Sequence, residues 1–399
     1  MTDERGIFMK FKERLFKKKE KATTVVGKIK EIMNLINLLA YTPGLEFVDD
    51  WKKSYRTAFA IFVNSVATFI SIYTFLVTFP AKENVALVGF FAFNGMIWGK
   101  LLVVMTKHDK FMSVVQYVFK VFNSNTTGPR GHILMGVTKL FNYHLLLNFS
   151  SFLAGYAIYS TFPLYDYFFY GRLTLVSPLL VPKIDPENLR GYFITTSFNV
   201  FLVSYCLNIC LAVSSLFFLL VDTYGGLVSL VEHDLNEFDD MCERKESTGR
   251  RDAKMRNTMM ELMDIARFSN YLNDLYDVIA TVQIVMSAIV MLGSLAAILA
   301  INYKNCIGGF LSFYTELLMY CYIGQLLDDT NMRIINVISQ AKWYTYELKY
   351  QKDIHIALYL AQNMEPIRLA GVIPLNFETG LMITNKIYTA FMFMLELIE

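Results

Sequence analysis

The sequence predicts an all-α polytopic membrane protein with seven transmembrane helices, a cytosolic N-terminus and an extracellular C-terminus. Three observations carry this reading. Of 399 residues, 54% are apolar and only 18% charged. Soluble domains carry about 25% charged residues, so this chain has too little polar surface to be soluble at its size. Six stretches are each apolar over about 20 residues, the length that crosses a bilayer. Lys and Arg are also strongly segregated among the connecting segments, as detailed below.

The six clear spans are 57–79, 85–105, 145–163, 192–221, 278–301 and 307–327. A seventh stretch, 375–398, is long enough but contains Glu378, Lys386 and Glu396. With seven spans, 30 of the 37 Lys and Arg fall before span one and in the even-numbered loops, 5 fall in the odd-numbered loops, and Lys100 and Lys386 lie within spans. The positive-inside rule therefore places the N-terminus in the cytosol, the opposite orientation to a G-protein-coupled receptor. The N-x-[ST] matches at Asn125 and Asn148 fall in a cytosolic loop and within span three, so neither is expected to be glycosylated.

Residues 1–56 form a cytosolic N-terminal region. Lys and Arg crowd residues 10–21, and Ile29, Ile32, Met33, Ile36, Leu39 and Ala40 then recur at helical spacing. This pattern suits either an interfacial amphipathic helix or a helix packed on protein. Residues 57–221 hold spans one to four. Residues 222–277 mix apolar and charged positions at helical spacing, as in Leu227, Leu230, Val231 and Leu235, so spans four and five extend beyond the membrane. The charged segment 243–256 reads as a linker. Spans five and six occupy 278–327, and 328–386 and 387–399 complete the chain.

Several functions are excluded by what the sequence lacks. The five cysteines, Cys206, Cys210, Cys242, Cys306 and Cys321, show no zinc-like spacing. The five histidines form no HxxxH pair, and no nucleophile-elbow or phosphate-loop motif occurs. An enzyme, a metal site and a cofactor are therefore not expected. A net charge of +2, with the basic residues spread over loops, does not suit a nucleic-acid partner. The partner implied is the lipid bilayer.

The last eighty residues carry the most specific pattern. Tyr320-Cys321-Tyr322-Ile323-Gly324 closes span six, followed by Trp343-Tyr344, Gln351-Lys352, Pro366 and Ala370-Gly371. Pro374-Leu375-Asn376-Phe377-Glu378-Thr379 and Tyr388-Thr389-Ala390-Phe391 complete it. This series resembles the insect odorant receptor family. Thr330, Ser339 and Lys342 depart from residues common in that family at those positions.

The resemblance implies a tetrameric, odorant-gated, non-selective cation channel, in which a tuning subunit pairs with the co-receptor Orco in the plasma membrane of olfactory sensory neurons. It further implies a cytosolic helical anchor domain from parts of spans four to seven, here 222–277 and 328–386. The seventh helices would line the pore, with its outer part at 387–399. Glu378, Thr379, Thr384, Asn385 and Lys386, costly against lipid, then sit in water or in the anchor. Alignment to the family's motif places the hydrophobic gate at Phe393 and Leu397. A gustatory receptor-type channel of the same superfamily is the nearest alternative, and a secondary transporter a weaker one.

The resemblance also places a ligand pocket in the outer half of the bundle, among spans two to six. Aromatic side chains suit a small, volatile, apolar or aromatic odorant, because broad faces pack by shape while a hydroxyl orients a polar atom. The candidates are Phe90 and Phe93 on span two, Phe152, Tyr156 and Tyr159 on span three, Phe198 and Phe201 on span four, and Phe313 and Tyr314 on span six. Glu316, near the middle of span six, is expected to have a structural role with a partner inside the bundle.

Overall fold

The structure, a computed structural model, describes residues 25–45, 55–79 and 84–396. Ten α-helices make up most of it: α1 (Val25–Tyr41), α2 (Tyr55–Thr78), α3 (Asn84–Thr106), α4 (His108–Ser124), α5 (Gly128–Tyr170), α6 (Leu189–Glu243), α7 (Thr248–Ile301), α8 (Cys306–Gln340), α9 (Leu348–Gln362) and α10 (Phe377–Glu396). Between α9 and α10 lies a two-stranded antiparallel ribbon, β1 (Arg368–Leu369) and β2 (Ile373–Pro374), pairing Arg368 with Pro374 and Leu369 with Ile373. Helices α2, α3, α5, α6, α7 and α8 are long and apolar enough to cross a membrane. They contain the six clear spans read from the sequence.

Three of these helices far exceed a membrane. α5, α6 and α7 run for 43, 55 and 54 residues. At about 1.5 Å rise per residue these are roughly 65–80 Å rods, against a hydrocarbon layer of about 30 Å. Their remaining lengths, with α4, α9 and the ribbon, form a second helical layer at the charged end. The 243–256 linker expected from charge is shorter in the structure. α6 stops at Glu243 and α7 begins at Thr248, with Met255 already buried. Straight-chain Arg, Lys and Met favour helix there, so charge density alone misread a solvated helix face.

Phe59, Phe62, Phe69, Ile72 and Leu76 stand exposed along α2, an arrangement stable where lipid covers it. α1 buries Ile29, Ile32, Met33, Ile36 and Ala40 against α4, α5 and α6, while Leu35 and Leu38 remain exposed. Its apolar stripe is therefore a protein contact. The basic run 10–21 lies outside the described residues.

At the end opposite the charged layer, loop 171–188 folds back over the bundle as a lid. Val176 and Leu179 are buried. Tyr303 Oη donates to the Leu175 carbonyl at 2.6 Å, and Asn305 Nδ2 donates to the same oxygen at 3.0 Å. Asn199 Nδ2 donates to the carbonyls of Ser177 and Leu179 at 3.3 and 3.2 Å. The nearby turn from α7 to α8 is set by Asn302, which caps α7 in the left-handed region at φ 53°, as Asn tolerates.

Polar groups inside the bundle pair across helices. Lys100 of α3 meets Glu316 of α8 at 3.4 Å, with both side chains buried. Ser214 of α6 donates to Glu316 Oε1 at 3.4 Å and lies 3.0 Å from Tyr320 Oη. Further toward the charged end, His144 Nδ1 lies 3.0 Å from Asp222 and its Nε2 3.2 Å from Tyr322 Oη. In the charged layer, Arg130 of α5 bridges Asp234 of α6 at 2.5 Å and Glu261 of α7 at 2.6 Å. Burial pushes the Glu261 carboxyl above its usual value, against the pull of Arg130. Asp234 is buried and retains Lys254 at 2.9 Å if Arg130 is lost. Arg130→Ala is thus expected to destabilise the protein by about 1–3 kcal/mol, the range for a hydrogen bond to a buried charge. Thermal unfolding of detergent-solubilised protein measures it; an unchanged midpoint would show that Lys254 alone suffices.

Candidate functional site

Toward the end covered by loop 171–188, α3, α5, α6, α7 and α8 diverge around a partly open cavity of about 640 Å3, counting all non-atom space, including that open to solvent. The space exists because its walls are small where the helices approach. A Cβ added at Gly308 of α8 would lie 2.6 Å from the Gly155 carbonyl of α5 and 2.5 Å from the Tyr159 amide nitrogen. Only glycine permits that crossing. Above and beside it, Phe90 and Phe93 enter from α3, Tyr156 and Tyr159 from α5, and Phe313 from α8. Phe93 and Phe313 meet edge to face, with centroids 5.6 Å apart and planes at 73°.

Among the described residues the walls are almost entirely apolar, and no charged side chain lines them. Tyr156 Oη is engaged with Ser204 at 2.8 Å. Ser312 Oγ donates to the Gly308 carbonyl at 3.0 Å. The Tyr159 hydroxyl is buried without a partner. The cavity can therefore hold a small apolar body and offer few polar contacts.

Beneath the cavity lies the Lys100–Glu316 pair. Glu316 follows Ser312 by one helical turn, Lys100 follows Phe93 by two, and Ser214 follows Leu207 by two, so the polar layer sits about 5–10 Å deeper along each helix. Neither Lys100 nor Glu316 lines the cavity.

Five of the sequence-derived pocket candidates, Phe90, Phe93, Tyr156, Tyr159 and Phe313, line this cavity. The other four lie elsewhere. Phe152 is buried in the main core, one turn below Tyr156. Phe198 packs on Ile70, Leu87 and Leu179. Phe201 is half exposed, because Val203 faces the cavity and a residue two positions away on a helix points to the opposite side. Tyr314 stacks on Phe310, with centroids 6.1 Å apart, one step around α8 from Phe313. Missed by sequence reading were Ala86, Gly89, Gly155, Leu207, Ser294 and Gly309, all in the wall. Small and aliphatic residues carry no chemical signal of a cavity. Only the Gly308-Gly309 pair hinted at close approach.

Phe393 is 61% exposed on α10, and Leu397 lies outside the described residues. His233, Asp234 and Glu237 place possible ligand atoms within 4.8 Å of one another. Lys254 already pairs with both carboxylates, at 2.9 Å and 2.5 Å, so the group is an ion-pair network.

Long membrane helices, a charged helical layer at one end and an apolar cavity toward the other define a multi-pass helical membrane protein. The chain belongs to the 7tm odorant receptor family, whose model matches residues 82–388. The fold is similar to that of the insect olfactory receptor OR5 from Machilis hrabei, with a TM-score of 0.71 and 12% sequence identity over 92% of this chain and 97% of that one. The same receptor in complex with eugenol matches with a TM-score of 0.70, at the same identity and coverage.

Proposed function

We propose that this chain is the odorant-recognising subunit of a heteromeric, odorant-gated, non-selective cation channel in the plasma membrane of olfactory sensory neurons. The single observation that carries the reading is a nearly apolar cavity among five membrane-length helices of an odorant receptor fold. Its aromatic and apolar walls suit a small volatile apolar or aromatic odorant. OR5 of Machilis hrabei, with the same fold, forms a complex with eugenol, a molecule of that class.

The N-terminus lies in the cytosol on the Lys and Arg distribution, so the charged layer is a cytosolic anchor domain and the lid faces outward. α10 supports assembly into a larger unit. It buries only Thr379, Gly380 and Ile387 within this chain, while Tyr388, Met392 and Phe393 are exposed. In a tetramer with the co-receptor Orco, these faces meet neighbours and a central pore. Phe393 and, four positions later in the sequence, Leu397 are the residues we assign to an apolar constriction that blocks ions by dewetting.

Expression with and without the co-receptor, with current recorded during application of a volatile panel that includes eugenol, tests the proposal. Current that requires both chains and a volatile is expected. Stoichiometric uptake of a substrate without channel-like current would replace it with a transporter. Phe393→Gly is expected to raise ligand-independent current several-fold by removing the constriction. Basal current and permeability equal to wild type would remove Phe393 from the gate.

A further inference from the structure

Tyr159 is the one tyrosine of the cavity wall whose hydroxyl has no partner. Its residue is 8% exposed, so water does not readily supply the missing bond. Buried hydroxyls are nearly always hydrogen-bonded, and an orphaned one costs about 1–3 kcal/mol. The neighbouring polar groups are already committed. Tyr156 bonds Ser204, Ser312 bonds the Gly308 carbonyl, and Tyr303 of the turn above donates to the Leu175 and Val176 carbonyls. No carboxylate lines the cavity. That leaves two neutral O–H donors in the wall, Tyr159, whose hydroxyl is fully closed off from water, and Ser294.

We propose that Tyr159 is a specificity-determining residue that donates a hydrogen bond to a single acceptor oxygen on the odorant, so the cavity selects aromatic ketones, aldehydes and ethers over hydrocarbons of the same shape. This rests on the cavity being the odorant site. A charged ligand is disfavoured because no counter-charge lines the wall. A ligand with several polar groups is disfavoured because only one or two wall groups remain uncommitted. The remaining candidate, Ser294 of α7, lines the same cavity and is 6% exposed.

The test uses the full chain co-expressed with the co-receptor and two probes of nearly identical shape, acetophenone and α-methylstyrene, which exchange C=O for C=CH2. Wild type is expected to respond to acetophenone at a concentration about three- to tenfold lower than to α-methylstyrene, the selectivity one neutral hydrogen bond supplies. Tyr159→Phe, which removes only the hydroxyl, is expected to bring the two concentrations together chiefly by weakening the ketone. Equal potency of the probes on wild type overturns the proposal without any variant, so a folding failure of Tyr159→Phe leaves it testable. A ketone preference that survives Tyr159→Phe and vanishes in Ser294→Ala also overturns it, moving the donor to Ser294. In both of those cases the cavity still binds small aromatics. Activation by neither probe, with no inhibition of a response to eugenol, overturns the inference together with the assignment of the cavity to small aromatic odorants.

Discussion

Replacing Lys100 or Glu316 singly by Ala is expected to destabilise the protein by about 3–5 kcal/mol, the cost of leaving one buried charge without its partner. Both side chains are buried and 3.4 Å apart. Ser214 and Tyr320 complete the polar layer between α3, α6 and α8. Neither neighbour carries a charge able to replace the lost ion, and an uncompensated charge among membrane helices is costly. Loss of surface expression and a lowered thermal midpoint of the solubilised protein measure the effect. The double variant Lys100→Met with Glu316→Leu removes both charges while keeping volume, and is expected to recover most of the stability. Single variants as stable as wild type would show that the two side chains are not ionised together.

The second large effect is expected at Gly324, where α8 meets the segment leading into α10. A Cβ there would lie 2.1 Å from the Leu375 carbonyl oxygen and 2.5 Å from Leu375 Cγ. The obstacle is backbone, which cannot rotate away, so Gly324→Ala must displace the start of α10 from α8. Overpacking of this kind costs about 1–3 kcal/mol, and here it falls on the helix proposed to line the pore. Ligand-evoked current is expected to be strongly reduced in Gly324→Ala while protein still reaches the surface. Gly136→Ala in α5, where an added Cβ meets nothing within 4 Å, is the matched control and is expected to behave as wild type. Normal currents in Gly324→Ala would mean that the α8–α10 contact tolerates separation.

Much of this was legible beforehand because it depends on local composition. Six apolar runs gave six membrane-length helices, and the tail motifs from Tyr320 to Phe391 gave the family. Two of those motif residues now have a physical role: Gly324 and Leu375 are the two sides of one close contact. Charge misled where a helix face was solvated, as at 243–256. Aromatic residues located the cavity in part, because Phe90, Phe93, Tyr156, Tyr159 and Phe313 happen to share an inward face. Phe201 and Tyr314 have the same chemistry on the wrong side of their helices, and rotation about a helix axis is set by packing with neighbours.

By itself, the sequence determined the membrane class, the helix count among clear spans and the family, since each follows from hydropathy and residue order within a segment. Only the tertiary structure decided which groups meet. Glu316 needed a partner, and Lys100, 216 residues away, supplies it on another helix. The cavity is likewise a property of five helices together, made by small residues that leave space and by one tyrosine hydroxyl with nothing to bond. Empty volume and an unpaired donor have no signature in a single segment, because both are defined by what the neighbouring helices fail to fill.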